Sequence, residues 1–192
     1  MYAFRDPLGI KPLAAGRFED GCIIASESSA MDTLGATFDR DIEPGEIVSI
    51  NADGVTSHGI EANERKAFCM FEYVYFARAD AKMDGVLAYS VRHRLGRQLW
   101  KEHPVEADVV IAVPDSGTAF ALGYSEASDI PYREGFIKNR YVGRSFIQPD
   151  DVKRKNTVNE KMNPVGDLLN GKRVVVVDDS VVRGNTSRKI VS

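Results

Sequence analysis

The stretch Val174-Val175-Val176-Val177-Asp178-Asp179-Ser180-Val181-Val182-Arg183-Gly184-Asn185-Thr186-Ser187 decides how this chain is read. Four consecutive β-branched residues predict a strand buried on both faces, as in a parallel sheet. Such a strand delivers the residues after it to the carboxyl edge of the sheet, where open α/β folds bind ligands. Those residues are an acidic pair and a turn rich in small and hydroxyl side chains. Ser180, Thr186 and Ser187 supply hydroxyls, Gly184 permits close backbone approach, and Thr186 or Ser187 is the expected cap of the next helix. An acidic pair is in general only the polar end of a strand. The hydroxyl turn directly behind this one favours a ligand that carries a phosphate together with a diol or a metal.

The wider segment from Phe68 onward reads as α/β. Leu87, Val91, Leu95 and Leu99 recur every four residues with Arg92, Arg94, Arg97 and Lys101 among them, which predicts an amphipathic helix. Asp108 to Val113 predicts a second buried strand, ended by Pro114, and Ser116-Gly117-Thr118 opens a helix toward Ser125. Two buried strands, each ending in an Asp/Ser/Gly turn before a helix, are what a parallel nucleotide-type sheet requires. The turn at Ser116 is then expected to face the same crevice as Asp178, with backbone N–H groups at the helix start adding anion affinity. Residues 131–161 are poorly periodic and hold eight Lys/Arg against four Asp/Glu. A solvated loop is the ordinary reading of such charge. The length and lack of periodicity instead suggest a mobile flap over a polyanionic substrate, with Lys138, Arg140 and Arg144 as its basic residues.

The first part of the chain has another texture, turn-rich and β-rich. Tyr2 to Phe4, Cys22 to Ser26 and Glu46 to Ile50 are predicted strands, the last closed by the Asn51-Ala52-Asp53-Gly54 turn. A short helix is expected from Ser26-Glu27-Ser28-Ser29 toward Leu34, and polar Glu61 to Lys66 reads as a linker.

Composition excludes more than it assigns. A net charge of −3 over 192 residues gives no global pull toward nucleic acid or membrane. No run approaches the roughly 18 apolar residues that span a bilayer. Cys22 and Cys69 belong to no metal-type spacing, so a reducing cytoplasm is the expected compartment. His58, His93 and His103 share no spacing with a nucleophile. No GK[ST] follows a glycine-rich turn and no GxGxxG opens a helix, which removes the common phosphate-loop and dinucleotide readings. A signalling receiver domain also ends a strand in adjacent acidic residues. It needs about a hundred further residues, and here 13 come after Asp179.

With these residues in view, Val174 to Ser187 resembles the ribose-phosphate binding motif of type I phosphoribosyltransferases. More narrowly, the chain resembles the amidophosphoribosyltransferase family. The matching pieces are Arg5 to Leu13 (RDPLGIKPL), Ala25-Ser26-Glu27, Glu43-Pro44-Gly45-Glu46, Phe71 to Arg78 (FEYVYFAR), Val113 to Gly117 (VPDSG) and Lys138 to Pro149 (KNRYVGRSFIQP). They occur in the family's order over nearly the whole chain. The resemblance implies an α/β and α+β fold. Residues 1–66 would be the C-terminal part of an Ntn-type, class II glutaminase domain, and residues 67–192 the first part of a type I phosphoribosyltransferase domain.

The activity so implied begins purine synthesis. Phosphoribosyl pyrophosphate and ammonia from glutamine give 5-phosphoribosylamine, glutamate and pyrophosphate. Asp178 and Asp179 would hold the ribose hydroxyls and magnesium, and Ser180 and Arg183-Gly184-Asn185-Thr186-Ser187 the 5′-phosphate side. Ser116 would meet the metal–pyrophosphate side, and Lys138 and Arg140 would act from a loop that orders on substrate. Cys69 matches one ligand of the [4Fe–4S] cluster of one subgroup, a cluster that needs four thiolates. Purine nucleotides as feedback inhibitors and a homo-oligomeric parent are further implications; nucleic acid and membrane are not expected partners.

Departures from the family pattern are informative. The catalytic N-terminal cysteine of the family is not found at Met1-Tyr2-Ala3-Phe4, Asn185 stands where threonine is usual, and Ala79 replaces a proline. The expectation is therefore a fragment of the enzyme, inactive with glutamine by itself. The alternatives are another phosphoribosyltransferase, against which the RDPLGIKPL segment speaks, and a non-catalytic regulator that senses phosphoribosyl pyrophosphate, which lacks a basic DNA-binding helix here.

Overall fold

The computed structural model describes residues 1–18, 21–51, 54–60, 65–138, 162–182 and 184–191. They form two compact units, Met1–Val91 and Arg92–Ser192. The composition shift at residue 66 does not coincide with this division. Residues 67–91 pack with the first unit: Ala67 N–H donates to Leu8 O (2.8 Å), Cys69 N–H to Ile10 O (2.9 Å), and Lys82 N–H to Ser28 Oγ (2.8 Å).

The first unit is built on two antiparallel sheets. In one, β1 (Tyr2–Phe4), β5 (Glu46–Asn51) and β6 (Gly54–Ile60) lie in the order β1-β5-β6. In the other, β2 (Ala14–Phe18), β3 (Gly21–Ala25) and β4 (Thr37–Asp41) lie in the order β3-β2-β4. Ala15, Ile42, Val48 and Ile50 form one buried cluster with half-buried Cys22 against it, so the reading of Cys22 as a core thiol holds. Helix α1 (Ser28–Leu34) places Met31 with Ala14 and Ala36 in another and ends at Gly35 with φ +70°.

Strand β2 is not legible in the sequence, because Gly16 interrupts it. A Cβ there would lie 2.6 Å from Thr37 O and 2.8 Å from Met31 Sδ, so the absent side chain is what lets the helix and β4 close over the strand. The β2–β4 register also shifts between Ala15 and Gly16. A π-helical turn (Glu72–Phe76) and the hairpin of β7 (Lys82–Met83) and β8 (Val86–Leu87) complete the unit around Ala77, Ala81, Met83 and Ala88.

Helix α2 (Ala88–Glu102) forms as its periodicity predicts, but with a different face buried. Within it, Leu95 and Leu99 are 41% and 37% exposed, whereas Arg92 and Gly96 are buried. The reason lies in α3 (Thr118–Ser128), which approaches α2 backbone to backbone. A Cβ on Gly96 would sit 1.9 Å from Phe120 O, and one on Gly123 2.0 Å from His93 O. Contact through two glycines brings the small residues inward and turns the leucines out.

The second unit carries the parallel pair. Strand β9 (Val109–Ala112) runs beside β12 (Val174–Val177) in the register Val109↔Val174 to Ala112↔Val177. Strand β9 is buried throughout; on β12 only Val177 is, and Val174 to Val176 are half-buried. The expectation of a strand buried on both faces thus holds for β9 alone. Among the described residues β12 has one neighbouring strand, while β9 has β12 on one side and a bridge from Val110 to Tyr132 on the other. Within 131–161, β10 (Phe136–Lys138) pairs antiparallel with β11 (Met162–Pro164); residues 139–161, with Arg140 and Arg144, lie outside the described residues. Short helices α4 (Gly166–Leu169) and α5 (Asn185–Val191) come after β11 and β12. No helix among the described residues is long and apolar enough to cross a membrane.

Candidate functional site

Parallel pairing places the carboxyl ends of β9 and β12 side by side. Val113 N–H donates to Val177 O at 2.8 Å, and Gly117 N–H donates to Val113 O at 3.0 Å. Gly117 is required at this point: a Cβ there would lie 2.7 Å from both Val113 O and Val177 O. The turn Pro114-Asp115-Ser116-Gly117, which contains a cis Pro114–Asp115 peptide, and the segment Asp178-Asp179-Ser180 therefore leave one sheet edge together. The turn holding Ser116 and the segment that begins at Asp178 thus share a sheet edge, as the sequence reading expected.

On the β12 side the acidic pair is locally ordered. Asp179 N–H donates to Asp178 Oδ1 at 2.8 Å, and the Ser180 hydroxyl donates to Asp179 Oδ1. Burial pushes the Asp178 carboxyl up, Asp179 N–H opposes this, and the neighbouring Asp179 charge adds to it. A cavity of about 160 Å³ lies against Asp178, Ser180 and Ser187, with Val113, Val176 and Ile190 as apolar walls. Gly184 has φ +68°, the left-handed region that favours glycine, and its carbonyl accepts from Arg188 N–H at 2.8 Å. Helix α5 begins at Asn185, so Thr186 and Ser187 fall inside it and not at its cap. Only the backbone of Asn185 and Thr186 is described, and Arg183 lies outside the described residues.

On the β9 side a larger cavity, about 530 Å³, is lined by Asp115, Thr118, Tyr132, Glu134, Phe136 and Lys138 among others. Lys138 Nζ donates to Asp115 Oδ2 at 2.6 Å. Burial first, then the Glu134 charge, pushes the Tyr132 phenol up. Sequence reasoning found Lys138 here but missed Asp115, Tyr132 and Glu134. Asp115 was visible within the VPDSG turn. Tyr132 and Glu134 carried no periodic signal, because only the bridge to Val110 draws their segment onto the sheet.

The donor set tests the expected metals. Asp178 and Asp179 offer hard carboxylate oxygens, and no group of three or more His, Cys, Asp or Glu that could hold a metal occurs among the described residues. Two carboxylates without a closed protein cage suit magnesium, which keeps water or substrate phosphate oxygens among its ligands. An iron–sulfur cluster does not fit this chain's own residues. Four thiolates are needed, and the chain holds Cys22 and Cys69 alone. Cys69, matched by the resemblance to one ligand of a cluster in a full-length parent, lies 3.8 Å from Lys11 Nζ, which is also paired with Glu72 at 2.6 Å. Of the histidines, His93 meets Glu126 at 2.9 Å, and His58 packs near Tyr2.

No protein-family model matches the chain. Individual proteins do. It is 52% identical over 207 aligned residues to the amidophosphoribosyltransferase of Methanocaldococcus jannaschii, covering 100% of this chain and 44% of that protein. With the Mycobacterium tuberculosis amidophosphoribosyltransferase the identity is 51% over 191 residues, covering 100% of this chain and 36% of the relative. The glutamine phosphoribosylpyrophosphate amidotransferase of B. subtilis, solved with ADP and GMP, matches with a TM-score of 0.88 and 49% identity, over 100% of this chain and 42% of its own. A structure described as the allosteric regulatory enzyme of purine biosynthesis gives the same TM-score and identity over 41% of its length. The chain thus spans less than half the length of these relatives. Identity near one half over the full chain, on a closely matching fold, shows that the chain belongs to the amidophosphoribosyltransferase family.

Proposed function

We propose that this chain carries the phosphoribosyl pyrophosphate site of an amidophosphoribosyltransferase acting in purine synthesis. The supporting observation is the shared edge, where Asp178-Asp179-Ser180 and the Asp115-Ser116-Gly117 turn emerge together and Val113 N–H binds Val177 O. In this reading Asp178 and Asp179 accept hydrogen bonds from the ribose hydroxyls. The left-handed Gly184 and the start of α5 receive the 5′-phosphate, with Arg183, Asn185, Thr186 and Ser187 as the contacting residues. Ser116 and Lys138 face the pyrophosphate, whose bond to the anomeric carbon breaks as ammonia attacks. Magnesium held by Asp178 and Asp179 would supply charge neutralisation of the leaving group. Apolar walls such as Val113, Val176 and Ile190 limit water at the oxocarbenium-like centre, which would otherwise hydrolyse.

The finer assignments rest on the same reading. Residues 1–66 correspond to a glutaminase part and 67–192 to the phosphoribosyltransferase part. Glutamine is the ultimate nitrogen source, purine nucleotides are feedback ligands, the parent is a homo-oligomer, and the compartment is the reducing cytoplasm. The test is calorimetric titration of the chain with phosphoribosyl pyrophosphate and magnesium. Wild type is expected to bind saturably, and D178N/D179N to lose about tenfold or more in affinity, the usual scale for charged hydrogen bonds. Equal binding by the double variant would overturn the assignment.

A further inference from the structure

The cavity beside β9 has a charge pattern opposed to the ligand assigned to it. Its described lining includes two carboxylates, Asp115 and Glu134, and one ammonium, Lys138, which already lies 2.6 Å from Asp115. The two partners reach each other from separately fixed elements. Asp115 belongs to the turn locked by Gly117 against the ends of β9 and β12. Lys138 closes β10, where its register opposite Met162 is set by the β10–β11 pairing. The backbone therefore presents the pair. Both side chains remain open to solvent, at 77% for Asp115 and 54% for Lys138, so parting them exposes no buried charge.

We propose that Asp115 is an internal counter-ion for Lys138, and that a pyrophosphate group must displace this carboxylate to reach the lysine. The inference rests on the reading of the site as one for a pyrophosphate-bearing sugar. Asp115 then lowers anion affinity by competition. Its return to Lys138 as pyrophosphate departs favours product release. No bond is made or broken covalently in the exchange; one anion replaces another on the same ammonium.

The test uses the full chain and inorganic pyrophosphate with magnesium, titrated calorimetrically against wild type, D115N, K138Q and D115N/K138Q. D115N is expected to bind about threefold to fivefold more tightly than wild type, the scale of one exposed ion pair. K138Q should bind more weakly than wild type, and the double variant no more tightly than K138Q, because the gain acts through the lysine. An affinity of D115N equal to or below wild type, or a gain that survives in the K138Q background, overturns the inference. Saturable wild-type binding without a D115N gain sinks the counter-ion role and leaves the site reading standing; absence of binding in all four proteins overturns both.

Discussion

At the scale of single residues, two carboxylates show how one chemical group serves opposite ends. Glu46 is buried and receives Arg40 through paired contacts of 2.7 and 2.8 Å, with Glu43 N–H at 2.8 Å. Hydrogen bonding from Arg40, acting against burial, lowers its pKa to about 2. A carboxyl depressed on folding stabilises the fold fully above its unfolded pKa of about 4.3 and loses that contribution as pH falls toward 2. The shift corresponds to about 3 kcal/mol. Urea unfolding at pH 7 and pH 3 should show wild type losing midpoint on acidification and E46Q losing much less; equal losses would contradict this role. Asp178 is the reverse case, a carboxyl that burial pushes up and that folding therefore disfavours as an anion. D178N keeps an oxygen for Asp179 N–H and removes the desolvated charge. Its thermal midpoint should match or exceed that of wild type, with a gain of at most about 1 kcal/mol, even as ligand affinity falls. A clear drop in midpoint would show that Asp178 is structural.

At the scale of elements, the sequence located helices better than it oriented them. The four-residue spacing of Leu87, Val91, Leu95 and Leu99 announced α2, and the helix is there. Its inner face is the neighbouring stripe through Arg92 and Gly96, because α3 approaches at Gly96 and Gly123. Hydrophobic periodicity records which residues gain from burial, whereas a close helix crossing is decided by which residues leave room. G96A exposes the difference. Alanine raises intrinsic helix propensity by about 1 kcal/mol, yet its Cβ would meet backbone Phe120 O at 1.9 Å. Net destabilisation of about 2 kcal/mol is expected from chemical denaturation, in the range of overpacking. A stabilised G96A would mean that the helices separate without cost. Strand β12 was legible because four valines in succession admit few other fates, while β2 was hidden by the glycine that makes its packing possible.

At the scale of the whole molecule, the division after Val91 reflects bonds far apart in sequence. Arg5, 4% exposed, gives paired contacts of 2.7 and 2.8 Å to Asp84, and donates to Ile42 O at 2.8 Å and Lys11 O at 2.9 Å. Hydrogen bonding to Asp84 raises its pKa further, so it stays charged. One guanidinium thereby ties the RDPLGIKPL segment, the end of β4 and the β7–β8 turn into the first unit. Arg5→Met leaves these acceptors without a donor and should destabilise that unit by about 3 kcal/mol. Hydrogen exchange should quicken across Tyr2 to Asn51 and stay unchanged across Val109 to Ser128. A uniform rise in both regions would argue against separately stabilised units.

Residue order alone was enough to dictate the local chemistry of this protein. The valine run specified a strand, the acidic pair and hydroxyl turn behind it marked the edge proposed to bind ligand, and the ordered motifs marked the family. These signals depend on residue type and near neighbours, which a linear reading retains. Folding in three dimensions was needed to settle that Asp115 meets Lys138, that Tyr132 and Glu134 join their cavity, and that residues 67–91 pack with the first unit. Each of those outcomes comes from pairing between distant segments: Val110 with Tyr132, Phe136 with Pro164, Arg5 with Asp84. Partner choice among distant segments is set by the sum of packing, backbone hydrogen bonding and steric room across the fold, and no short stretch of sequence carries that sum.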